Sequence, residues 1–576
     1  MHMGPSYRNA SRLRVAFVLG AWAFLALAAV LYIAGYAHNV PYYDDGVMVD
    51  VLAGAQPVDA EWLWQAHNDH RIPIPKLVLL ALYHLSGWDF RVGMYANAML
   101  LAGLAGAGIC VAANRRGRWS YADIFLPVML LNWGHYHNLL WSWQLTQVIP
   151  TVIVLGLLLT IVRFGTQLTS WASICSGVAV AALPLCGVPG LAYVPGFALW
   201  LAEVGRQSWR ADSTTGRRDA LIVWALAAVA VFLIPIYFID LKTTVQAPFQ
   251  LPRTLWTMVA FVAHGLGPAA PELQPWSYVL VLSVFLFGAA LLVPALRDRD
   301  ASTRSRGFAM LMFLLAFSGL AFAVGVARPG TKFPPRYFLF AVPAWWWAFF
   351  VFDIYGRGWT RRLALTGLLS LAVAASGFGF RDGLEFAKDR DAQLTAFESD
   401  LRTGMPPSQL VARHQRALLP YPEDGGASFH DALTTSFSEL RKGGVGAFIS
   451  LGPEGRFREI PLSEIAHLIG SSRTSEGLTQ TWTFAQNSFV YGMRITVPAT
   501  LDGSSGTAPP RTEISWAKTS QEGLSNDRRY VHWWLPQQKD ATFWVYASIH
   551  QIRITLDDAS SVYAAPQIHL LTPERN

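Results

Sequence analysis

Long apolar stretches occupy the first two thirds of the chain, and short polar segments separate them. A helix needs about 20 apolar residues to cross a bilayer. On this basis the pattern predicts eleven spans, at residues 15–37, 92–112, 121–132, 145–162, 170–186, 189–203, 219–239, 276–296, 307–327, 337–353 and 362–380. The third, fifth and sixth are short, and the Cys-Gly-Val-Pro-Gly stretch at 186–190 can instead form the tip of a re-entrant pair. Loss of two spans would leave the side on which the chain ends unchanged.

The first apolar segment, from Arg14 to Ala37, is too long for the core of a signal peptide and has no evident cleavage site. We therefore expect it to be retained as the first transmembrane helix.

The pattern changes near residue 381, where the sequence becomes polar. Residues 381–480 begin helix-like and continue as a Gly-, Pro- and Ser-rich connecting region, whereas residues 481–576 contain short runs that alternate apolar with polar side chains. Such alternation is typical of a half-buried antiparallel sheet. We expect an α-helical membrane domain (1–380) and a C-terminal water-exposed α+β domain with a small β-sandwich. Such sandwiches often bind carbohydrate, and a structural or docking role fits the pattern equally well.

Composition supports a membrane protein. Of the 576 residues, 53% are hydrophobic and 14% are charged, and the mean hydropathy is +0.30, which is far too apolar for an ordinary soluble protein. The net charge of +7 comes mainly from short basic runs between apolar segments, so topology explains it and we exclude a nucleic-acid partner. The three cysteines show no metal-ligand spacing.

The basic residues also predict an orientation. With the N-terminus in the cytoplasm, eighteen arginines lie in cytoplasmic segments, against eight lysines and arginines in the short loops of the other side. The positive-inside rule selects this arrangement. The first outer loop is then 38–91, and the C-terminal domain is extracytoplasmic, which in a bacterial inner membrane means periplasmic or extracellular.

An acidic pair, Asp44 and Asp45, follows the first predicted helix directly. The simple interpretation is a helix cap or an Asp-Gly turn. The catalytic interpretation is a base that takes a proton from an acceptor hydroxyl, and adjacent carboxylates can also hold a divalent cation such as Mg²⁺ or Mn²⁺ on a phosphate. No other cofactor is expected.

The same outer loop carries His67-Asn68-Asp69-His70-Arg71. Arg71 and His70 can bind a phosphate leaving group, and His67 with Asp69 would line the substrate site. A solvated interfacial loop is the alternative. The spacing of His67 and His70 is weak evidence for a metal without a third ligand.

Two later outer loops add candidates for substrate binding. Lys332, Arg336 and Tyr337 stand in RPGTKFPPRY, where a cation at the start of an apolar helix either reaches ordinary lipid headgroups or meets a lipid phosphate. In WGHYHNLLWSWQ, the side chains of His135, His137 and Gln144 can line a sugar site, and an aromatic belt is the alternative.

These residues resemble the glycosyltransferase C (GT-C) superfamily of membrane enzymes, which includes the protein mannosyltransferases and the aminoarabinose transferases. The resemblance rests on the architecture of residues 1–380 and on the acidic pair. It implies that Asp44 or Asp45 is the catalytic base or a metal ligand, that Arg336 holds the carrier phosphate, and that WLWQAH and the segment from Lys76 to Leu85 form helices along the membrane surface.

We therefore expect a glycosyltransferase that moves a hexose or pentose from a polyprenyl-phosphate carrier to an acceptor hydroxyl of a glycan, lipid or protein. The alternatives are a transporter or flippase of a lipid-linked glycan and a non-catalytic glycan-binding assembly protein. Transporters usually have internal repeats and ionisable residues at mid-membrane, whereas the clustered charges here fall in outer loops, which favours an enzyme.

Overall fold

A computed structural model of the protein describes residues 5–68, 70–211, 213–241, 249–330, 332–402, 405, 407–418, 427–443, 445, 447, 457–474, 477–496, 511–517, 519, 524, 529–533, 540–557 and 566–573. The chain divides into two compact units. One unit contains Met1–Thr395, Arg416–Pro420 and Glu439–Ala447, and the other contains Ala396–Gln415, Tyr421–Ser438 and Phe448–Asn576.

The described helices, in chain order, are α1 (Pro5–Tyr36), α2 (Gly46–Leu52), α3 (Ala60–Trp64), α4 (Pro73–Ser86), α5 (Val92–Arg116), α6 (Phe125–Leu131), α7 (Tyr136–Leu139), α8 (Leu145–Phe164), α9 (Ser170–Ala182), α10 (Val188–Leu191), α11 (Val194–Arg210), α12 (Thr214–Phe238), α13 (Leu251–Ala263), α14 (Ala269–Glu272), α15 (Trp276–Leu296), α16 (Ala301–Ala327), α17 (Phe338–Tyr355), α18 (Gly358–Arg402), α19 (Pro407–Leu418), α20 (Ala427–Gly443) and α21 (Leu462–Ile465). The described strands are β1 (Phe457–Pro461), β2 (Ala466–Thr474), β3 (Gly477–Thr496), β4 (Arg511–Ala517), β5 (Arg529–Trp533), β6 (Asp540–Asp557) and β7 (Gln567–Pro573).

Eight helical segments in the described part of the chain are long and apolar enough to cross a membrane. They contain α1, α5, α8, α12, α15, α16, α17 and α18, and each coincides with a predicted span. The number eleven is therefore not confirmed as a count of long membrane helices. The other three predicted spans correspond to α6, which has seven residues, to α9 with a following 3-10 turn, and to α11, which has 17 residues.

The segment that contains α6 nevertheless connects opposite ends of the bundle. Asp123, just before α6, pairs with Arg116 at the carboxyl end of α5. Trp141, beyond α6, lies beneath the guanidinium of Arg336 at the amino end of α17. Arg116 also pairs with Asp353, near the carboxyl end of α17, so residues 123 and 141 lie at different ends of that helix.

Asp353 is the centre of an ion-pair network at one of these ends. Its carboxylate is fully buried and accepts hydrogen bonds from Arg115 at 2.6 Å, Arg361 at 2.6 Å and Arg116 at 3.2 Å. Arg116 continues the network to the buried Asp123. The network thus joins the ends of α5, α17 and α18, because a buried carboxylate requires charged partners.

The C-terminal strands form one hydrogen-bonded antiparallel sheet in the order β1-β7-β3-β6-β4-β5, with β2 also paired to β3. The predicted β-sandwich is not confirmed. β6 has 18 residues and includes two runs that the sequence presents as separate strands, since alternation alone does not distinguish one long strand from two. β1 and β2 lie in the region expected to be helical and irregular, where a proline and a Gly-Ser-Ser stretch obscure the strand pattern.

We predict that Asp353→Ala lowers the free energy of unfolding by about 3–5 kcal/mol, because three arginines would lose a shared buried anion. Unfolding of the purified protein in detergent measures this loss. Glu203→Ala is the matched control, since Glu203 pairs with the exposed Arg206 one helical turn away. The control should lose less than about 1 kcal/mol. Equal losses in the two variants would contradict a stabilising role for the network.

Candidate active site

The acidic pair lies in a tight turn directly after α1. Residues Tyr43–Asp45 form one turn of 3-10 helix, and Tyr43 has a φ of 46°, a left-handed conformation that residues with a side chain seldom adopt. The rings of Tyr42 and Tyr43 both pack edge-on against Trp141, with centroids 5.0 and 5.9 Å away. Packing against Trp141 therefore helps to hold the strained turn in place.

Asp45 is the buried member of the pair. Its Oδ2 accepts a hydrogen bond from the backbone N–H of Tyr42 at 3.0 Å, which closes the turn, and its side chain is shielded from water. Burial raises the pKa of Asp45 to about 7, although the Tyr42 N–H and the positive charge of Arg390 act in the opposite direction. Asp45 therefore has a clear structural role and exchanges its proton near neutral pH.

Asp44 has different surroundings. Its side chain is 17% exposed, and its Oδ1 lies 2.9 Å from Nε2 of His67. The His67 ring meets the edge of Trp143 at 5.2 Å, and its backbone forms two hydrogen bonds with His70 that close a tight turn. The structure thus brings together Asp44 and His67, which are 23 positions apart. Asp69 lies outside the described residues.

Arg71 is buried, and its guanidinium group forms hydrogen bonds with backbone carbonyl groups. Its Nε donates to the carbonyl of Tyr237, while its two terminal nitrogens donate to the carbonyls of Trp64 and Ile239. The Tyr237 hydroxyl in turn accepts the Arg71 backbone N–H at 2.9 Å. These bonds fasten the first outer loop to the end of α12. We therefore assign Arg71 to positioning of the loop and leave it out of the phosphate site proposed below.

Lys76, which is also buried, reinforces the same loop. Its Nζ donates to the carbonyls of Trp62 and Gln65 and lies 4.9 Å from the centre of the Trp62 ring. The two cations therefore satisfy carbonyl groups at the carboxyl ends of α3 and α12, which intrahelical hydrogen bonds leave open.

Arg336 lies within a small group of aromatic side chains. Its guanidinium carbon is 5.9 Å from the ring centre of Trp141 and 5.8 Å from that of Tyr337. Asn138 donates to the Arg336 carbonyl at 3.1 Å and fixes the backbone there. One terminal nitrogen of Arg336 is shielded from water and has no hydrogen-bond partner.

Arg390 is a second cation of this site, and the sequence analysis missed it. It is buried, and its guanidinium lies 3.8 Å from the centre of the Tyr42 ring. One of its terminal nitrogens also has no partner. The available signal was helical spacing: Ala387, Arg390 and Leu394 share one buried face of α18, so an arginine occupies a position where an apolar residue is expected.

His137 lies close enough to both arginines for their charges to act on it. Burial, reinforced by the charges of Arg336 and Arg390, lowers the pKa of His137 to about 3. The imidazole is therefore neutral at physiological pH and can serve as a hydrogen-bonding group beside the two cations. It also packs against Phe386, with ring centroids 5.0 Å apart.

The remaining predicted site residues differ in burial and in their contacts. His135 is buried, stacks on Phe338 with centroids 4.0 Å apart, and has its Nε2 2.8 Å from the Met129 carbonyl, which indicates a packing role. Gln144 is buried and its Oε1 has no hydrogen-bond partner. Lys332 is exposed, and Tyr337 is half-buried against Phe333 and Phe340.

Among the described residues, no group of three or more His, Cys, Asp or Glu side chains is arranged to hold a metal ion. A divalent cation on Asp44 and Asp45 stays a prediction. The different surroundings of the two carboxylates favour separate roles over a shared ligand role.

No protein-family model matches the chain, and no curated protein matches it in sequence. One similar solved structure is the cryo-EM structure of the arabinosyltransferase EmbB from Mycobacterium smegmatis, with 11% identity and a TM-score of 0.30, covering 100% of this chain and 65% of that one. The chain thus spans slightly less than two thirds of the length of that protein. A TM-score this low does not establish a shared fold.

We predict that Asp45 titrates near pH 7 in the folded protein, because burial disfavours its charged form. Infrared difference spectra should show a protonated carboxyl band that disappears as the pH rises through about 7. The band should be absent from Asp45→Asn and retained in Asp44→Asn. Its presence in Asp45→Asn would show that another carboxyl group titrates there.

We also predict that Arg71→Gln destabilises the protein, with a loss of at least about 2 kcal/mol, because three hydrogen bonds from a buried charged group to backbone carbonyls are removed. Chemical unfolding in detergent measures the change. Arg91→Gln is the control, since Arg91 belongs to the same outer loop and forms a more exposed pair with Asp89. A stable Arg71→Gln variant would contradict the positioning role.

Proposed function

We propose that the protein is a membrane glycosyltransferase that moves a sugar from a polyprenyl-phosphate carrier to an acceptor hydroxyl at the outer face of the membrane. One observation supports this proposal above all others. An acidic turn and two arginines from distant parts of the chain surround the Trp141–Tyr42 aromatic pair. A base and an anion site side by side are what transfer from a phosphate-linked donor requires.

Asp44 is the better candidate for the base. A general base has to reach the acceptor proton before its pKa matters, and Asp44 is partly exposed whereas Asp45 is buried and bonded to the turn backbone. The nearby His67 orients the Asp44 carboxylate through the contact at 2.9 Å. Asp45 then maintains the turn that presents Asp44.

Arg336 and Arg390 are the candidates for the carrier phosphate. Each has a terminal nitrogen that is shielded from water and lacks a partner. Leaving such a donor unsatisfied is costly, and phosphate oxygens would satisfy both. His137, neutral between these charges, can donate or accept a further hydrogen bond.

The buried polar atoms beside the arginines suit a sugar ring. Asn138 Oδ1 and Gln144 Oε1 are shielded acceptors without partners, and Trp141 Nε1 is a shielded donor without a partner. Sugar hydroxyl groups pair with both kinds of atom, and an indole face suits the apolar side of the ring. These residues leave the identity of the sugar open.

The reaction is then a direct displacement with inversion. The acceptor oxygen attacks the anomeric carbon and its proton passes to Asp44. The bond between the anomeric carbon and the phosphate oxygen breaks, and the lipid phosphate leaves with the electron pair, stabilised by Arg336 and Arg390. The acceptor is a glycan, a lipid or a protein hydroxyl.

A transporter or flippase for a lipid-linked glycan is the alternative. A transport pathway usually has ionisable groups near mid-membrane. In the described part of the chain, the buried charged residues Asp45, Arg71, Lys76, Asp123, Asp219 and Asp353 lie in loops or towards helix ends, and Arg390 lies in the polar part of α18 that follows its apolar segment. This distribution favours an enzyme over a transporter. We place the enzyme in a bacterial inner membrane, with the active site on the periplasmic or extracellular side.

We predict that the protein reconstituted in lipid transfers or hydrolyses one member of a panel of radiolabelled polyprenyl-phosphate sugars. Asp44→Asn should lower kcat by about 10²–10⁴-fold because the base is lost. Asp45→Asn should have a smaller effect. Arg336→Ala and Arg390→Ala should lower kcat/KM for the donor, with a fall in kcat, because both arginines stabilise the phosphate as it leaves. Arg328→Ala, which removes an exposed charge from the Arg336 loop, should change little.

Three results would contradict this proposal in whole or in part. Full activity of Asp44→Asn would remove Asp44 as the base, and loss of activity only in Asp45→Asn would transfer that role to Asp45. Lipid translocation without turnover of any donor would favour the flippase.

A further inference from the structure

The membrane end opposite to the candidate active site has an excess of positive charge. We use the term arginine cluster for a group of seven side chains at this end: Arg115, Arg116, Arg306, Arg361, Asp123, Asp353 and Tyr355. The cluster contains four guanidinium groups and two carboxylates, so its own side chains leave an excess of two positive charges. The exposed Asp300 lies outside the cluster and offsets part of the charge of Arg306.

Several donors of the cluster are shielded from water and have no hydrogen-bond partner. These are Nε of Arg115, Nε of Arg116, Nε of Arg306 and the hydroxyl group of Tyr355. Arg115 and Arg306 both act electrostatically on Tyr355, which places three of these donors in one neighbourhood. Buried donors without acceptors are uncommon in folded proteins, and a bound water, ion or ligand headgroup can satisfy them.

The ordinary explanation for arginines at this end is membrane topology. That rule requires only that positive charges remain on one side, and exposed residues such as Arg297 and Arg299 satisfy it. It does not require guanidinium N–H groups to be withdrawn from water. The shielded donors are therefore the observation that calls for a ligand.

We propose that the arginine cluster binds the phosphate of an anionic phospholipid headgroup. A phosphate offers several oxygen acceptors and a negative charge, and guanidinium groups bind it with favourable geometry. The cluster lies at the ends of α5, α16, α17 and α18, at the level where headgroups meet membrane helices, and basic pockets between helices bind such headgroups. This lipid site is distinct from the donor site, since α17 separates Arg336 from Tyr355.

Lipid binding to the full chain in detergent tests this proposal without any sugar substrate. Thermal unfolding would be followed while phosphatidylglycerol, phosphatidylcholine or inorganic phosphate is added. We expect phosphatidylglycerol to raise the unfolding midpoint by several degrees and phosphatidylcholine to have little effect. Arg306→Gln should weaken the binding of phosphatidylglycerol about tenfold. Tyr355→Phe, which removes one hydroxyl group and keeps the ring, should weaken it in the same direction.

Arg299→Gln is the matched control, because it removes an exposed charge from the loop just before α16, the helix that carries Arg306. If phosphatidylglycerol still raises the unfolding midpoint of this variant, the result supports a specific lipid site formed by the arginine cluster. Stabilisation by inorganic phosphate at equal strength would support the anion site and identify a free phosphate as its ligand. An equal loss in Arg299→Gln, or no stabilisation of the wild type by either ligand, would overturn the proposal. Failure of the donor assay would leave this result unaffected.

Discussion

A charge inside a membrane protein requires a partner, and this constraint determines where the ionisable residues of the chain lie. The buried Asp353 shares three arginines at one end of the helices. At the other end, Arg71 and Lys76 are satisfied by backbone carbonyls. Arg336 and Arg390 differ from Arg71 and Lys76, because each retains a shielded donor without a partner, as Arg115 and Arg116 of the network also do. An unsatisfied donor therefore indicates a cation that can still bind a ligand, including one that also stabilises the fold.

The first outer loop shows how a fold can prepare a site. Arg71 fixes the loop to the end of α12, and the turn that contains Asp44 packs against Trp141. Two distant anchors thus determine where one carboxylate lies. In the proposed reaction, such fixation lowers the cost of arranging the base, since its position is set before substrate arrives.

The sequence allowed prediction of those features that depend on the local hydrophobic pattern and on the order of membrane helices and loops. Eight of the eleven predicted spans coincide with long apolar helices, and the structure places Asp44 beside His67 and Arg336 over Trp141, all in segments that were predicted to be loops. Arg390 could not be found in this way, because α18 continues as a polar helix well beyond its apolar part. The carbonyl partners of Arg71 were also inaccessible, since they come from residues 166 and 168 positions away along the chain.

The short helix α6 has a consequence for the depth of the candidate site. Its seven residues extend only about 10 Å, whereas the hydrocarbon core is about 30 Å thick. Residues 132–144 must therefore continue the path across the bundle in irregular form, and most of them are buried within protein, as such backbone requires at membrane depth. His137, Asn138 and Trp141 belong to this part of the chain. A long-chain carrier could then reach them by lateral diffusion with its tail still in the bilayer, whereas a water-soluble nucleotide sugar would first have to lose its hydration.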